Sequence, residues 1–265
     1  MKLNLVPART GVLWVRTGLQ AFARQPLAFI SLFFLFMALV SIASQLPLIG
    51  AALALMLLPT MTLGLMAATA QAAGPEKPAA GAVFVAALNA VRADVRPMAV
   101  LGAMYAALFL LVMALSAIAD GGEFARVYLL GKPLTHELAE TTEFQIALWI
   151  AMALYLPLSL AFWHAPALVH WHRVPPAKSL FFSFVACFKN FGALTVFGLV
   201  WAGVFVGAGI VLSLLATLLV AIGAMGIGEG ASAAGGAVMI GGALVMAAMF
   251  FTSTWFTFRD SFQGD

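Results

Sequence analysis

Charge is what this sequence has least of. Of its 265 residues only 9% are Asp, Glu, Lys or Arg, while 64% are hydrophobic and the mean hydropathy is +1.07. A soluble domain carries about 25% charged residues to keep its surface in water, so the composition excludes a water-soluble globule and calls for a bilayer. Cysteine is nearly absent as well. Cys187 stands alone, which excludes an intrachain disulfide and a cysteine-built zinc site and leaves it the role of a small apolar filler. The formal charge of +3 comes from 13 Lys and Arg against 10 Asp and Glu, with no soluble module on which bases could gather, so nucleic acid is not expected as a partner.

What the sequence does have is long runs without any charge. A crossing helix needs about 20 apolar residues, and the run between Arg24 and Glu76 holds two if Gln45, Pro47 and Gly50 make the turn. The spacing predicts crossings over 26–46, 48–72, 97–119, 145–170, 191–220 and 237–257, with an outer loop over 120–144 and a Gly/Ala-rich turn at 223–236. The expected fold is an all-α integral membrane protein, one polytopic domain over 1–265, with six transmembrane helices. With the N-terminus inside, Lys2, Arg9, Arg16, Arg24, Lys77, Arg92, Arg96, Arg173, Lys178, Lys189 and Arg259 fall on inner segments. Only Arg126 and Lys132 fall outside. Because Lys and Arg concentrate in short cytoplasmic loops, both termini are expected in the cytoplasm. A cleaved signal peptide fits badly, since four positive charges precede the first apolar run and that run continues into a second crossing.

Three basic segments, 8–24, 81–95 and 176–189, precede the odd-numbered crossings and read as amphipathic helices lying in the membrane boundary. Val12, Val15, Leu19 and Phe22 recur at helical spacing in the first, with Arg9, Arg16 and Gln20 on another arc. Phe84, Leu88, Val91 and Val95 form one face of the second, away from Asn89, Arg92 and Arg96. The third sets Phe181, Phe184, Val185 and Phe188 opposite a small-residue stripe of Ser179, Ser183 and Cys187. Such helices bury an apolar face in the acyl region and hold cations near anionic headgroups. Each is followed by a break and a crossing. The distance from Leu58-Pro59 to Pro78-Ala79 equals that from Leu156-Pro157 to Pro176-Ala177. The pattern implies a threefold repeat of surface helix and helix pair.

The stretch Phe162-Trp163-His164-Ala165-Pro166-Ala167-Leu168-Val169, then Trp171-His172, Val174-Pro175-Pro176 and 179–187, is similar to a proteobacterial family of six-helix inner-membrane proteins with no assigned activity. Trp14, Phe22-Ala23-Arg24-Gln25-Pro26-Leu27 and Leu46-Pro47-Leu48-Ile49-Gly50 carry the same resemblance. In layout the chain also resembles, more weakly, the membrane domain attached to some bacterial glycerophosphodiester phosphodiesterases. The resemblance implies an inner-membrane location and carries no activity.

Chemistry is sparse. No span has an ionisable group at mid-depth, where transport and proton relay usually need one. The polar inventory of the spans is Ser41, Ser44, Gln45, Thr60, Thr62, Thr69, Gln71, Ser116, Ser159, Ser213 and Thr217, most of which are expected to bond the carbonyl one turn back or to stitch helices. His164, His170 and His172 are spaced six and two apart, off a common helix face, and Asp and Glu partners are expected to be absent nearby; they read as polar anchors at the inner interface rather than ligands. No metal or cofactor is expected. Gly226-Ile227-Gly228-Glu229-Gly230 follows no strand and reads as a turn. Gly203, Gly207, Gly235, Gly236, Gly241 and Gly242 fit close helix contact, within the monomer or in self-association.

These readings lead to a non-enzymatic membrane scaffold or accessory protein. Its candidate contacts to lipid or to another membrane protein are Arg9, Arg16, Arg92, Arg96, Lys178, Lys189, Phe181 and Phe188. The alternative is a small permease or lipid-handling transporter with a site near the kinks at Pro59 and Pro157, beside Thr62 and Ser159, because interrupted helices at matching repeat positions point to mid-membrane binding sites. An interfacial lipid enzyme using the histidines ranks third. An interior cavity lined by both prolines would favour transport; a solid core would favour the scaffold.

Overall fold

The computed structural model describes residues 2–76, 78–79, 81–221 and 229–263. Lys77 and part of the glycine-rich 223–236 turn, including 226–228, lie outside the described residues. In order the elements are β1 (Lys2–Leu3), α1 (Thr10–Arg24), α2 (Pro26–Ser44), α3 (Gly50–Ala72), α4 (Ala82–Ala93), α5 (Val95–Asp120), α6 (Glu123–Leu130), α7 (His136–Glu140), α8 (Thr142–Trp163), α9 (Ala165–His172), α10 (Pro176–Lys189), α11 (Phe191–Ala221), α12 (Glu229–Ser261) and β2 (Phe262–Gln263). The protein is an all-α membrane protein. Six stretches are long and apolar enough to cross a bilayer: Pro26–Ser44, Gly50–Ala72, Val95–Asp120, Thr142–His172, Phe191–Leu219 and Gly235–Ser261. Shorter helices precede the first, third and fifth of them.

The chain divides into two compact units, one of residues 1–35, 65–88 and 190–265 and the other of residues 36–64 and 89–189. In the first, α1 packs against both α11 and α12. Glycine makes this approach close: a Cβ on Gly11 would collide with the Ala193 carbonyl and lie 2.6 Å from Phe197 N, and one on Gly18 would lie 2.6 Å from Ser253 Cα. Trp14 and Trp201 are fully buried there. Trp14 meets Phe197 edge-on at 6.2 Å, and Trp201 does the same to Phe250 at 5.5 Å while its Nε1 donates to Ser253 Oγ at 3.0 Å. The chain ends are tied, since β1 pairs antiparallel with β2, Lys2 opposite Gln263 and Leu3 opposite Phe262.

In the second unit α5 packs along α8, and α10 lies against α8 and α9. Gly102 of α5 receives the Met56 carbonyl at a distance that leaves no room for a Cβ. Tyr105 meets Phe162 edge-on at 5.0 Å, and Phe109 meets Tyr155 likewise at 6.0 Å. The 120–144 segment, expected as a loop, contains α6 and α7. Gly121 and Gly122 take left-handed conformations (φ 66° and 90°), which turns the chain so that the Asp120 carboxylate accepts from Gly122 N at 2.8 Å and Phe124 N at 2.6 Å. A carboxylate at a helix N-terminus satisfies amides that have no intrahelical partner. Lys132 and Arg126, at 2.5 and 2.7 Å, hold the Glu123 carboxyl below its ordinary range.

Candidate functional site

The three short helices α1, α4 and α10 are built on one plan. Trp14, Gly18, Ala21 and Gln25 in the first, Val83, Ala87, Ala90 and Asp94 in the second, and Ser179, Ser183, Ala186 and Asn190 in the third share the spacing 4, 3, 4. All face inward and all are buried except Gln25, which is half-buried. Spacing of three and four residues is one helix face, and small side chains on it let backbones approach.

Each stripe ends in a polar side chain that bonds the segment leading to the next surface helix. Gln25 Nε2 donates to the carbonyl of Pro78 at 2.6 Å, just before α4. Asp94, 3% exposed, accepts from Arg173 at 2.9 Å and lies 2.5 Å from His170 Nδ1, just before α10. Asn190, also 3% exposed, accepts from Val6 N and donates to the Asn4 carbonyl, both at 3.0 Å, just before α1. The order is one to two, two to three, three to one. Arg173 reaches Asp94 because it sits in a left-handed conformation (φ 52°) at the end of α9.

Several expectations need correction. The histidines are not without an acidic partner: Asp94, 76 residues away in sequence, sits against His170. His164 is no interface anchor, being 1% exposed with its backbone N donating to Ser183 Oγ at 2.9 Å. The apolar face expected for α1 does not point one way. Val15 and Phe22 are buried inside the protein, Phe22 stacked on Phe29 at 6.1 Å, whereas Val12 is exposed. Gly203, Gly207, Gly235, Gly236 and Gly241 have open space where a Cβ would stand; only Gly242 of that set is close-packed, against Leu212. Close contact falls instead on Gly11, Gly18 and Gly102.

At the kinks, Pro59 is buried and Pro157 is exposed on the outer side of α8. Thr62 Oγ1 donates to the Leu58 carbonyl at 3.0 Å and Ser159 Oγ to the Leu156 carbonyl at 2.8 Å. These hydroxyls serve their own helices. Ser44, Thr69, Ser116 and Thr217 likewise donate to carbonyls three or four residues back. Among the described residues no three His, Cys, Asp or Glu side chains converge as metal ligands would.

Apart from Lys2 on β1, whose side chain is exposed and has no partner among the described residues, the described cations sort into two sets. Arg24 donates to the carbonyls of Ala72 and Gly74, Arg126 and Lys132 pair with Glu123, Arg173 with Asp94, and Arg259 with Asp260. Arg9, Arg16, Arg92, Arg96, Lys178 and Lys189 are exposed and have no side-chain partner among the described residues. They stand on or beside the three surface helices; Lys178 and Lys189 share α10 with Phe181 and Phe188, which are 64% and 65% exposed.

Over 265 residues the chain is 37% identical to a probable inner membrane protein of Burkholderia thailandensis, a match covering 99% of this chain and 94% of that one. No family model matches the chain. No solved structure matches it.

Proposed function

We propose that this chain, which belongs to the family of the Burkholderia inner membrane protein, is a non-enzymatic scaffold or accessory protein that works through its basic surface helices. The observation that carries this reading is the division of the cations. The protein uses Arg24, Arg126, Lys132, Arg173 and Arg259 internally, yet among the described residues the six on and beside α1, α4 and α10 have no partner. Cations on helices that also expose apolar side chains, Val12 and Leu13 on α1, Val85 and Leu88 on α4, Phe181 and Phe188 on α10, suit an anionic membrane surface or an acidic membrane partner. The transporter alternative would draw on Pro59, Pro157, Thr62 and Ser159, but the outward-facing Pro157 and the self-bonded hydroxyls give it little support.

On this reading Phe181→Asp with Phe188→Asp strips α10 of its lipid-facing anchor. Burying a phenylalanine contributes about 1.5–3 kcal/mol, and a carboxylate at the boundary works against it. Affinity purification in mild detergent should show co-purifying membrane proteins reduced by tenfold or so, by the same order of magnitude, with Pro157→Ala close to wild type. Partners surviving the double change while a cellular phenotype is lost with Pro157→Ala would reverse the order of the two readings.

The same reading puts the N-terminus, 76–96, 171–190 and the C-terminus in the cytoplasm, because positive charge stays inside. A membrane-impermeant thiol reagent should label a cysteine placed at Thr135 in intact cells and spare one at Ala177. The native Cys187 will not interfere: it is fully buried, and burial pushes its thiol up to about 12, where the reactive thiolate is scarce. Labelling at Ala177 from outside would invert the topology.

A further inference from the structure

Beyond the general attraction of basic helices to lipid, an open groove of about 450 Å³ runs between α1 and α11, lined by Val12, Leu19, Val200 and Val204 with Arg16 and Gln20 at its edge. We propose that this groove is a binding site for one anionic glycerophospholipid, its acyl chain along the valines and its phosphodiester on the Arg16 guanidinium.

Position and charge point to that occupant. Helix α11 has 31 residues, about 46 Å at 1.5 Å per residue, which is more than the hydrocarbon layer takes, and Val200 and Val204 lie in its half nearer Phe191, the end that basic helix α10 precedes. Gly11 and Gly18 hold α1 against α11 and α12, which keeps the exposed Arg16 at the edge of the groove. No described carboxylate or carbonyl accepts from it. Arg24, one helix turn beyond the groove, donates to the Ala72 carbonyl at 2.9 Å and shows what a cation on α1 does when the protein supplies an acceptor. A guanidinium forks onto two phosphate oxygens, and the wall beneath Arg16 is almost wholly apolar, as a chain and not a soluble anion requires.

The site rests on the lipid-facing reading of the surface helices, and the two can fail separately because Phe181 and Phe188 lie on α10. The test uses the full chain in nanodiscs of mixed phosphatidylglycerol and phosphatidylcholine, with lipid retained after release counted by native mass spectrometry. Wild type should keep one phosphatidylglycerol in preference to phosphatidylcholine, and excess inorganic phosphate should not displace it. Arg16→Gln should lower that retention about fivefold, the contribution of one cation at an anionic surface. Val204→Trp, which fills the groove, should lower it too, and Arg126→Gln, on α6 where the protein itself supplies Glu123, should leave it unchanged. Equal retention in Arg16→Gln and wild type, equal losses in Arg16→Gln and Arg126→Gln, indifference to headgroup charge, or displacement by phosphate would each overturn the site. Loss of partners in the Phe181→Asp, Phe188→Asp protein alongside any of these results would leave the scaffold reading standing.

Discussion

Gly18→Val should unseat α1 and destabilise the protein in detergent by about 1–3 kcal/mol, the usual cost of forcing extra carbon into a packed contact. The new Cβ would fall 2.6 Å from Ser253 Cα and 3.0 Å from Ser253 N, and backbone cannot step aside as a flexible side chain can. Ser253 is also held in place, because its Oγ donates to the Phe250 carbonyl at 2.5 Å and accepts from Trp201 Nε1. The strain therefore spreads into the aromatic cluster around Trp201 and Phe250. Gly203→Val is the control: nothing lies within 4 Å of its Cβ position, and the effect should stay within about 0.5 kcal/mol. Thermal unfolding followed by tryptophan fluorescence, with limited proteolysis of 1–24, measures both. Equal melting temperatures for the two variants would mean that α1 is not clamped at Gly18.

Asp94→Ala should loosen the junction between α9 and α10. The carboxylate is buried and gathers His170 and Arg173 from a segment more than 70 residues downstream, so its loss removes the acceptor for both. A hydrogen bond to a charged group contributes about 1.5–3 kcal/mol. The Arg173 side chain is 69% exposed and can recover water, which brings the expected loss to the lower end of that range. Hydrogen exchange over 168–178 should speed up severalfold, while exchange over 191–220 stays as in wild type. Asp94→Asn keeps an acceptor and should lie between the two. If exchange over 168–178 is unchanged in the alanine variant, Asp94 does not organise that junction.

The recurrence of the pattern was visible before the structure, and its meaning was not. The stripes of small residues at Gly18 and Ala21, at Ala87 and Ala90, and at Ser183 and Ala186 are as periodic as the phenylalanines opposite them. On α10 the greasy arc is the exposed one, with Phe181, Phe184 and Phe188 outward and Ser179, Ser183 and Cys187 inward. On α1 the arc chosen by hydrophobicity straddles the protein and its outside. In a bilayer both sides of a helix face apolar matter, so hydrophobicity does not distinguish lipid from core, and close packing of small residues decides instead. The spare glycines of α11 and α12 mislead for the same reason, since composition cannot tell a contact from an open flank.

Sequence by itself determined that the chain lives in a membrane and crosses it six times, because covering hydrocarbon takes about 20 consecutive apolar residues and that requirement is local. It also determined that short basic helices precede alternate crossings, since helical periodicity and charge are written in neighbouring residues. Only the tertiary structure decided which residues close the long-range bonds: Asp94 with His170 and Arg173, Asn190 with Asn4 and Val6, Gln25 with the Pro78 carbonyl. Those partners lie between 53 and 186 residues apart, and no local pattern specifies a bond across that distance. The same holds for Arg16 and its groove. Its charge is legible in one letter, but that no described residue accepts from it, and that it stands by Val200 and Val204, appears only once α1 is packed on α11.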